Sequence, residues 1–366
     1  MQRKLAILGA NAAITMLIDK AKALGYETHV FAWECGDPGE KRADFFYPIS
    51  IDDKEGVLKK CREIGICGIC SITSDFAVPT VNYVAREMGL AGNSDRTDVV
   101  ARNKYQMRCA LKDAGLYVPP FIQVDEKFTI NETDNLIFPV IVKPTDRWSS
   151  KGVTRVDNPN DLELAVKYAI NESFDKKAII EGFMDGPEYS AECICYHGDV
   201  TVLTLTKKLT TGFPHYIETG HIQPSDIPEE KQAEIKEFIK RAVSALDIQN
   251  SAAHAEFRLL KDGNIGIIEI GARMGGDYIG TDLTPISTGM DFIKMVIDVA
   301  VGNKPCFDIV SQPSPVEVRF ILNKSDLIDS EDIDPSNLVR KCIFDTAFNR
   351  EVIDSNTRHG YYIIKK

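Results

Sequence analysis

The segment HAEFRLLKDGNIGIIEIGAR, from His254 to Arg273, governs the reading of this chain. Two apolar runs flank Asp262-Gly263, a dipeptide that favours a two-residue hairpin turn. With that turn as the loop, Lys261 pairs with Asn264, and Glu256 falls directly opposite Glu269. Opposed residues on a hairpin hold their Cβ atoms about 4.5–5.5 Å apart, and like charges there are destabilising. Phe257, Ile267 and Ile268 flank these carboxylates, so they are partly buried. Either one stays protonated or a cation lies between them. A three-residue loop would instead slip the register by one and leave one glutamate at a sheet edge. Oxygen ligands favour Mg2+ or Mn2+ over zinc, and Mg2+ held by one or two carboxylates commonly also carries substrate phosphates.

A phosphate needs cations. Lys143 ends the apolar run Ile137 to Val142 and precedes Pro144, where an ammonium group at the end of a buried strand can meet an anion. An ordinary strand-end lysine is the competing reading. Ser149, Ser150, Lys151, Gly152 and Val153 form a small, hydroxyl-rich loop whose backbone N–H groups suit phosphate, as a plain β-turn would also look. Further on, a strand ends in Glu181, a turn follows at Asp185-Gly186-Pro187, and a strand begins with Glu188, an acid able to accept from a sugar hydroxyl or simply to be solvated. Arg273 follows the strand of Glu269 in a glycine-rich turn, where its planar fork suits phosphate or carboxylate oxygens; a capping or surface role is the alternative. Gly275, Gly276 and Asp277 allow backbone to approach a substrate closely. His215, Glu218 and His221 lie in a polar loop and are candidates for gripping a substrate or receiving a proton; a mobile surface loop is the competing reading. The P-loop, GxSxG and kinase signatures are absent.

Working outward, residues 1–102 alternate strand and helix patterns: strands at Lys4–Leu8, Glu27–Trp33 and Ile66–Ile72, helices at Ala12–Leu24, Val57–Glu63 and Pro79–Met88. That alternation predicts a parallel sheet of Rossmann-like form, but Gly9-Ala10-Asn11 is no dinucleotide fingerprint. After Asn103–Ala114, a helix, and Pro119-Pro120, the pattern shifts to longer strands, an α+β domain over 103–305. An amphipathic helix follows Pro228, and 306–366 reads as a small β-rich C-terminal lobe. The 366 residues suit two or three cores, and 44% hydrophobic with 27% charged residues is globular composition. A net charge of −11 with no basic block argues against nucleic-acid or anionic-membrane partners. No export signal is visible, and the nine scattered cysteines read as reduced thiols, which points to the cytoplasm. Cys67-Gly-Ile-Cys70 lies in a strand-like run that sends its sulfurs to opposite faces.

Together these pieces resemble the ATP-grasp superfamily. Lys104 in Asn-Lys-Tyr-Gln-Met-Arg is similar to the start of its ATP-binding domain, Phe138 to Pro144 to its phosphate-lysine strand, and Ser149 to Val153 to its mobile phosphate loop. Glu181, Gly182 and Met184 with Glu188 resemble its adenine hinge and ribose acid, and Glu256 and Glu269 its magnesium carboxylates. The resemblance implies an N-terminal Rossmann-like domain followed by an ATP-grasp fold, two α+β subdomains clasping ATP, with 116–184 as the lid. Among such enzymes the carboxylate–amine ligases are most similar, through His254 to Arg258, Glu269 to Gly276 and Phe213 to His221. The implied chemistry uses ATP and Mg2+ or Mn2+: a substrate carboxylate attacks the γ-phosphate, and an amine then displaces phosphate from the acyl phosphate. Lys104, Lys143, the metals and Arg273 meet the charge of that transfer. Small carboxylate and amine substrates and a homodimer are the expected partners. A bicarbonate-activating enzyme like carbamoyl-phosphate synthase or biotin carboxylase, and a non-catalytic nucleotide sensor, remain alternatives. Gly271 stands where many members have a metal-binding asparagine, so the second metal leans on Glu269, phosphates and water or binds weakly.

Overall fold

The computed structural model describes residues 2–129, 136–147, 151–212, 216–331 and 333–366. Among these residues the strands form three sheets. The first contains β1 (Arg3–Leu8), β2 (Tyr26–Phe31), β3 (Phe45–Tyr47) and β4 (Gly68–Cys70), in the order β3-β2-β1-β4 with parallel pairing throughout. The first crossover helix, Ala12–Ala23, begins where the Asn11 side chain accepts a hydrogen bond from the Ile14 amide, and its Ile14, Leu17, Ile18 and Ala21 recur at three and four to bury one stripe. The short strand β3 was not legible in the sequence; its three residues are too few to show a period. Desolvation pushes the buried Cys70 thiol up to about 12, which leaves it a packing residue.

The second sheet joins β5 (Phe121–Val124), β6 (Val140–Pro144), β7 (Thr154–Val156) and β8 (Ala178–Gly182), antiparallel in the order β5-β8-β6-β7. The helix Leu162–Glu172 covers it, packing Leu162, Ala165, Val166 and Ala169 on Val140, Val142 and Ile180.

The third sheet is the largest. It holds β9 (Glu188–Tyr196), β10 (Asp199–Thr210), β11 (Glu218–Gln223), β12 (Ser251–Leu259), β13 (Ile265–Gly271), β14 (Val316–Ile321), β15 (Leu338–Ile343) and β16 (Gly360–Lys365), in the order β13-β12-β9-β10-β11-β14-β16-β15. The helix Glu229–Ala245 packs Ile235, Ile239, Ala242 and Val243 into the same core as Tyr189, Ala191, Cys193, Ala253, Ala255 and Phe257 from one face of that sheet. Strand alternation therefore turns Glu188, Ser190, Glu192, His254 and Glu256 to the opposite face.

Two sets of contacts cross the expected domain limits. Residues 306–366 make no sheet of their own: β14 pairs with β11 through Gly220↔Arg319 and His221↔Val318, so the segment is the outer part of the large sheet. The N-terminal sheet is not closed by residues 1–102 alone, because the helix Phe292–Ala300 shares a core with Leu5, Ile7, Ile14 and Cys70.

Candidate active site

The hairpin comes first. Glu256 does pair with Glu269, but by a different route from the one the turn dipeptide suggests. The loop has three residues, since the Leu260 amide bonds to the Asn264 carbonyl, and beyond it Phe257 faces Ile267. A β-bulge then places Ile268 as an extra residue and returns the ladder to Glu256↔Glu269. The slip of the loop and the slip of the bulge cancel. Nη2 of Arg108 donates to the Ile268 carbonyl at 3.0 Å and so anchors the bulge.

Each of the opposed carboxylates has its own ammonium group. Lys208 Nζ lies 2.7 Å from Glu256 Oε1, 3.1 Å from Glu188 Oε1 and 3.8 Å from Glu218 Oε1. Lys104 Nζ lies 3.1 Å from Glu269 Oε1 and donates to the Arg147 carbonyl at 2.5 Å. Burial works against the charge on Lys208, but Glu256, Glu188 and Glu218 override it and hold its pKa well above the usual value. Burial likewise opposes ionisation of Glu256, while Lys208 and His254 keep its carboxyl well below the usual range. His254 bridges Glu256, 3.2 Å from Nε2, and the fully buried Glu192, which contacts Nδ1. Glu192 also accepts from the Gly275 amide at 2.9 Å. A Cβ on Gly275 would come within 2.4 Å of Glu192 Oε1, so glycine is needed for this approach.

The second sheet supplies a second cluster. Lys143 Nζ is 2.5 Å from Glu181 Oε1, on the diagonal between β6 and β8, and Arg108 grips the same carboxylate at 2.9 and 3.2 Å. Burial pushes the Glu181 carboxyl up, but Arg108 and Lys143 overcome it and bring it down to about 2. Burial lowers the Lys143 pKa, with Arg108 and Lys104 adding to that and Glu181 opposing it. Gly182 continues β8 and donates to the Pro120 carbonyl at 2.9 Å. Glu188 is held by Arg258 at 3.0 Å as well as by Lys208, and the Met184 carbonyl accepts from Arg258 at 2.9 Å. Lys151 is exposed and 3.3 Å from Glu172, Gly152 is buried and Val153 exposed. Ser149, Ser150 and His215 lie outside the described residues.

Arg273 lies beside the hairpin but its fork is engaged. Its Nε and Nη2 meet Asp75 at 3.0 and 2.7 Å, and Nη1 donates to the Met274 carbonyl at 3.1 Å. A substrate would address the N–H groups that remain on Nη1 and Nη2. The same pair accounts for Gly271: a Cβ there would lie 2.7 Å from Asp75 Oδ1 and 3.2 Å from Arg273 Nε, so an asparagine could not enter without displacing them.

The remaining expected residues come together at the far end of the network. Arg358 Nη1 meets Asp277 Oδ2 at 2.8 Å and its Nη2 meets Glu218 Oε2 at 3.0 Å; His221 Nε2 is 3.8 Å from Asp277. Burial lowers the His221 pKa, so the ring is neutral at pH 7. Sequence reading missed Lys208, Arg358, Asp75, Arg108, Glu192 and His254 as parts of the site. Lys208 had a signal, since alternation along β10 places it on the face of Thr204 and Thr206; Arg358 and Asp75, brought from distant segments, had none.

Among the described residues no group of three His, Cys, Asp or Glu side chains is placed to hold a metal by itself. Glu256 and Glu269 fit instead a site that phosphates would complete. No helix among these residues is long and apolar enough to cross a membrane.

Comparisons with known proteins agree with this architecture. Residues 136–282 match the model of the ATP-grasp domain. The chain is 27% identical over 301 residues to alanine–anticapsin ligase of Bacillus subtilis (strain 168), covering 72% of this chain and 62% of that protein. It is 30% identical over 193 residues to D-alanine–D-alanine ligase of Acetivibrio thermocellus, covering 49% and 48%. The crystal structure of L-amino acid ligase from Bacillus licheniformis superposes with a TM-score of 0.82 at 26% identity, over 100% of this chain and 94% of that one. The chain thus spans less than two thirds of the length of the curated relatives named here.

Proposed function

From a chain built around an ATP-grasp domain, we propose an ATP- and Mg2+-dependent carboxylate–amine ligase acting on amino-acid-like substrates through an acyl phosphate. One observation carries this reading: two opposed carboxylates, Glu256 and Glu269, each face a lysine, Lys208 and Lys104, while Arg108 ties the buried Lys143–Glu181 pair to the bulge beside Glu269. Binding alone does not require like charges to be held face to face. A triphosphate with a divalent cation does call for paired carboxylates ringed by lysines. Similarity to alanine–anticapsin ligase and L-amino acid ligase supports amino-acid substrates.

In this reading Glu256 and Glu269 would hold Mg2+ together with the phosphates, and the metal would neutralise charge on the transferring oxygens. Lys143, buried at the end of β6, faces the phosphates, and Glu188, fixed by Arg258 and Lys208, accepts from the ribose. Lys104 and Lys208 serve as counter-ions to the two glutamates before the nucleotide arrives and turn to phosphate oxygens afterwards. The residues of 151–153 close over the nucleotide, excluding water from the acyl phosphate. Arg273, oriented by Asp75, addresses the substrate carboxylate and the developing charge through its free N–H groups.

The test is an ADP-release assay with pairs of amino acids, run with and without bicarbonate. Amino-acid-dependent ADP release, nearly abolished in Glu256→Gln and Glu269→Gln with the fold retained, is expected. Release that depends on bicarbonate alone would replace this reading with the carboxylating one. ATP binding without turnover under any condition would leave a nucleotide sensor.

A further inference from the structure

Arg358 lies outside the ATP-grasp match, in the stretch leading into β16, yet it is embedded in the site. It is 4% exposed, and its guanidinium carbon lies over the Phe320 ring, 3.7 Å from the centroid. Its Nη1 donates to Asp277, and its Nη2 to Glu218 and, at 3.0 Å, to Ser355 Oγ. Ser355 Oγ in turn donates to Glu218 Oε2 at 2.9 Å. The Arg358 Nε is buried without a hydrogen-bond partner, and so are both ring nitrogens of His221, a residue 1% exposed. These unpaired polar atoms sit around Asp277, whose own backbone is strained. Asp277 and Tyr278 have φ of 50° and 67°, left-handed values that non-glycine residues adopt at a cost. The outer strands hold that turn in place: Tyr278 stacks on Tyr361 at 3.9 Å, and Arg358 ties down the Asp277 carboxylate.

Two carboxylates share one guanidinium, with a neutral imidazole beside them. The trio carries a net negative charge, and the Glu218 and Asp277 side chains keep 21% and 34% exposure. We propose that Arg358 is a positioning residue: it fixes Glu218 and Asp277 as a pair of acceptors for the ammonium group of an amino-acid substrate. This rests on the ligase reading. The pair needs Arg358 because two ionised carboxylates left alone would repel and separate, and Lys208, 3.8 Å from Glu218, is already committed to Glu256 and Glu188. The negative surplus excludes a second anion at this spot and selects a cationic group.

The experiment measures thermal shifts of the full chain with a non-hydrolysable ATP analogue and Mg2+, then with each of the common amino acids added, for wild type, Arg358→Lys and Arg358→Gln. Wild type should be stabilised by nucleotide and further by at least one amino acid. The same amino acid without its amine, as the 2-hydroxy acid, should give no further shift. Arg358→Lys should keep the nucleotide shift and weaken amino-acid binding by about tenfold, because a point charge cannot bridge both acids; Arg358→Gln should lose it. Where turnover is measurable, KM for the amino acid should rise at least as much while KM for ATP stays within about twofold. An amino-acid shift unchanged in Arg358→Lys and Arg358→Gln would overturn the proposal. So would an equal response to the hydroxy acid, or a nucleotide shift with no amino-acid shift in wild type. Absence of the nucleotide shift itself would instead remove the ligase reading on which the proposal stands. If Arg358→Gln fails to fold, Arg358→Lys decides alone.

Discussion

At the scale of single residues, the site is a set of charges that exist only in each other's company. Glu181 is the clearest case, buried between Lys143 and Arg108. Replacing it by glutamine leaves two buried cations without a counter-ion, and breaking such a pair costs about 3–5 kcal/mol. The sign of its pH dependence follows from its pKa, down at about 2 in the folded chain against about 4.3 for a free glutamate. The stabilisation is complete above the unfolded value and is lost as pH falls through that window. Denaturant unfolding of wild type and Glu181→Gln should therefore show a wide gap at pH 7 that narrows by pH 3. A gap that stays constant would mean the carboxylate acts by packing alone. The Asp75–Arg273 pair makes a similar point about specificity of sequence: the glycine at position 271 is a consequence of what lies above it.

At the scale of elements, one helix joins the two halves of the site. Lys104–Asp113, capped by Asn103, presents Lys104 to Glu269 and, one turn on, Arg108 to Glu181 and to the bulge at Ile268. The second sheet and the carboxylate hairpin are thus referred to a common support. If the lid closes on nucleotide, amide exchange at residues 151–153 should slow on addition of ATP and Mg2+, with little change in β1 or β4. Unchanged exchange at 151–153 with nucleotide bound would remove that loop from the site. The hairpin shows how far element-level reading extends. The pairing of Glu256 with Glu269 was legible only because the three-residue loop and the bulge at Ile268 each shift the register by one residue and the two shifts cancel; neither leaves a mark in the residue pattern.

At the scale of the whole molecule, residues 306–366 belong to the large sheet. The strands β14, β16 and β15 extend the large sheet beyond β11 and bury Val316, Val318, Phe320 and Ile363 against Leu283. A chain cut after residue 305 would expose the β11 edge and leave His221 and Asp277 without their cover. It should be recovered insoluble or without a cooperative unfolding transition; a truncated chain that unfolds cooperatively and still releases ADP would make the segment a dispensable appendage. By itself the sequence determined what depends on neighbours along the chain. Periodicity set the parallel sheet and the amphipathic helix after Pro228, the Asp262-Gly263 dipeptide marked the carboxylate hairpin, and Lys104, Lys143, Glu188 and Glu269 were singled out by their resemblance to an ATP-binding domain. Tertiary structure alone decided the partners. Asp75 on Arg273, Arg108 on Glu181, Lys208 among three glutamates and Arg358 on Glu218 and Asp277 join residues far apart in the chain. Such contacts leave no period or spacing in a sequence, because long-range charge pairing is fixed by where folded elements meet and not by the residues beside each charge.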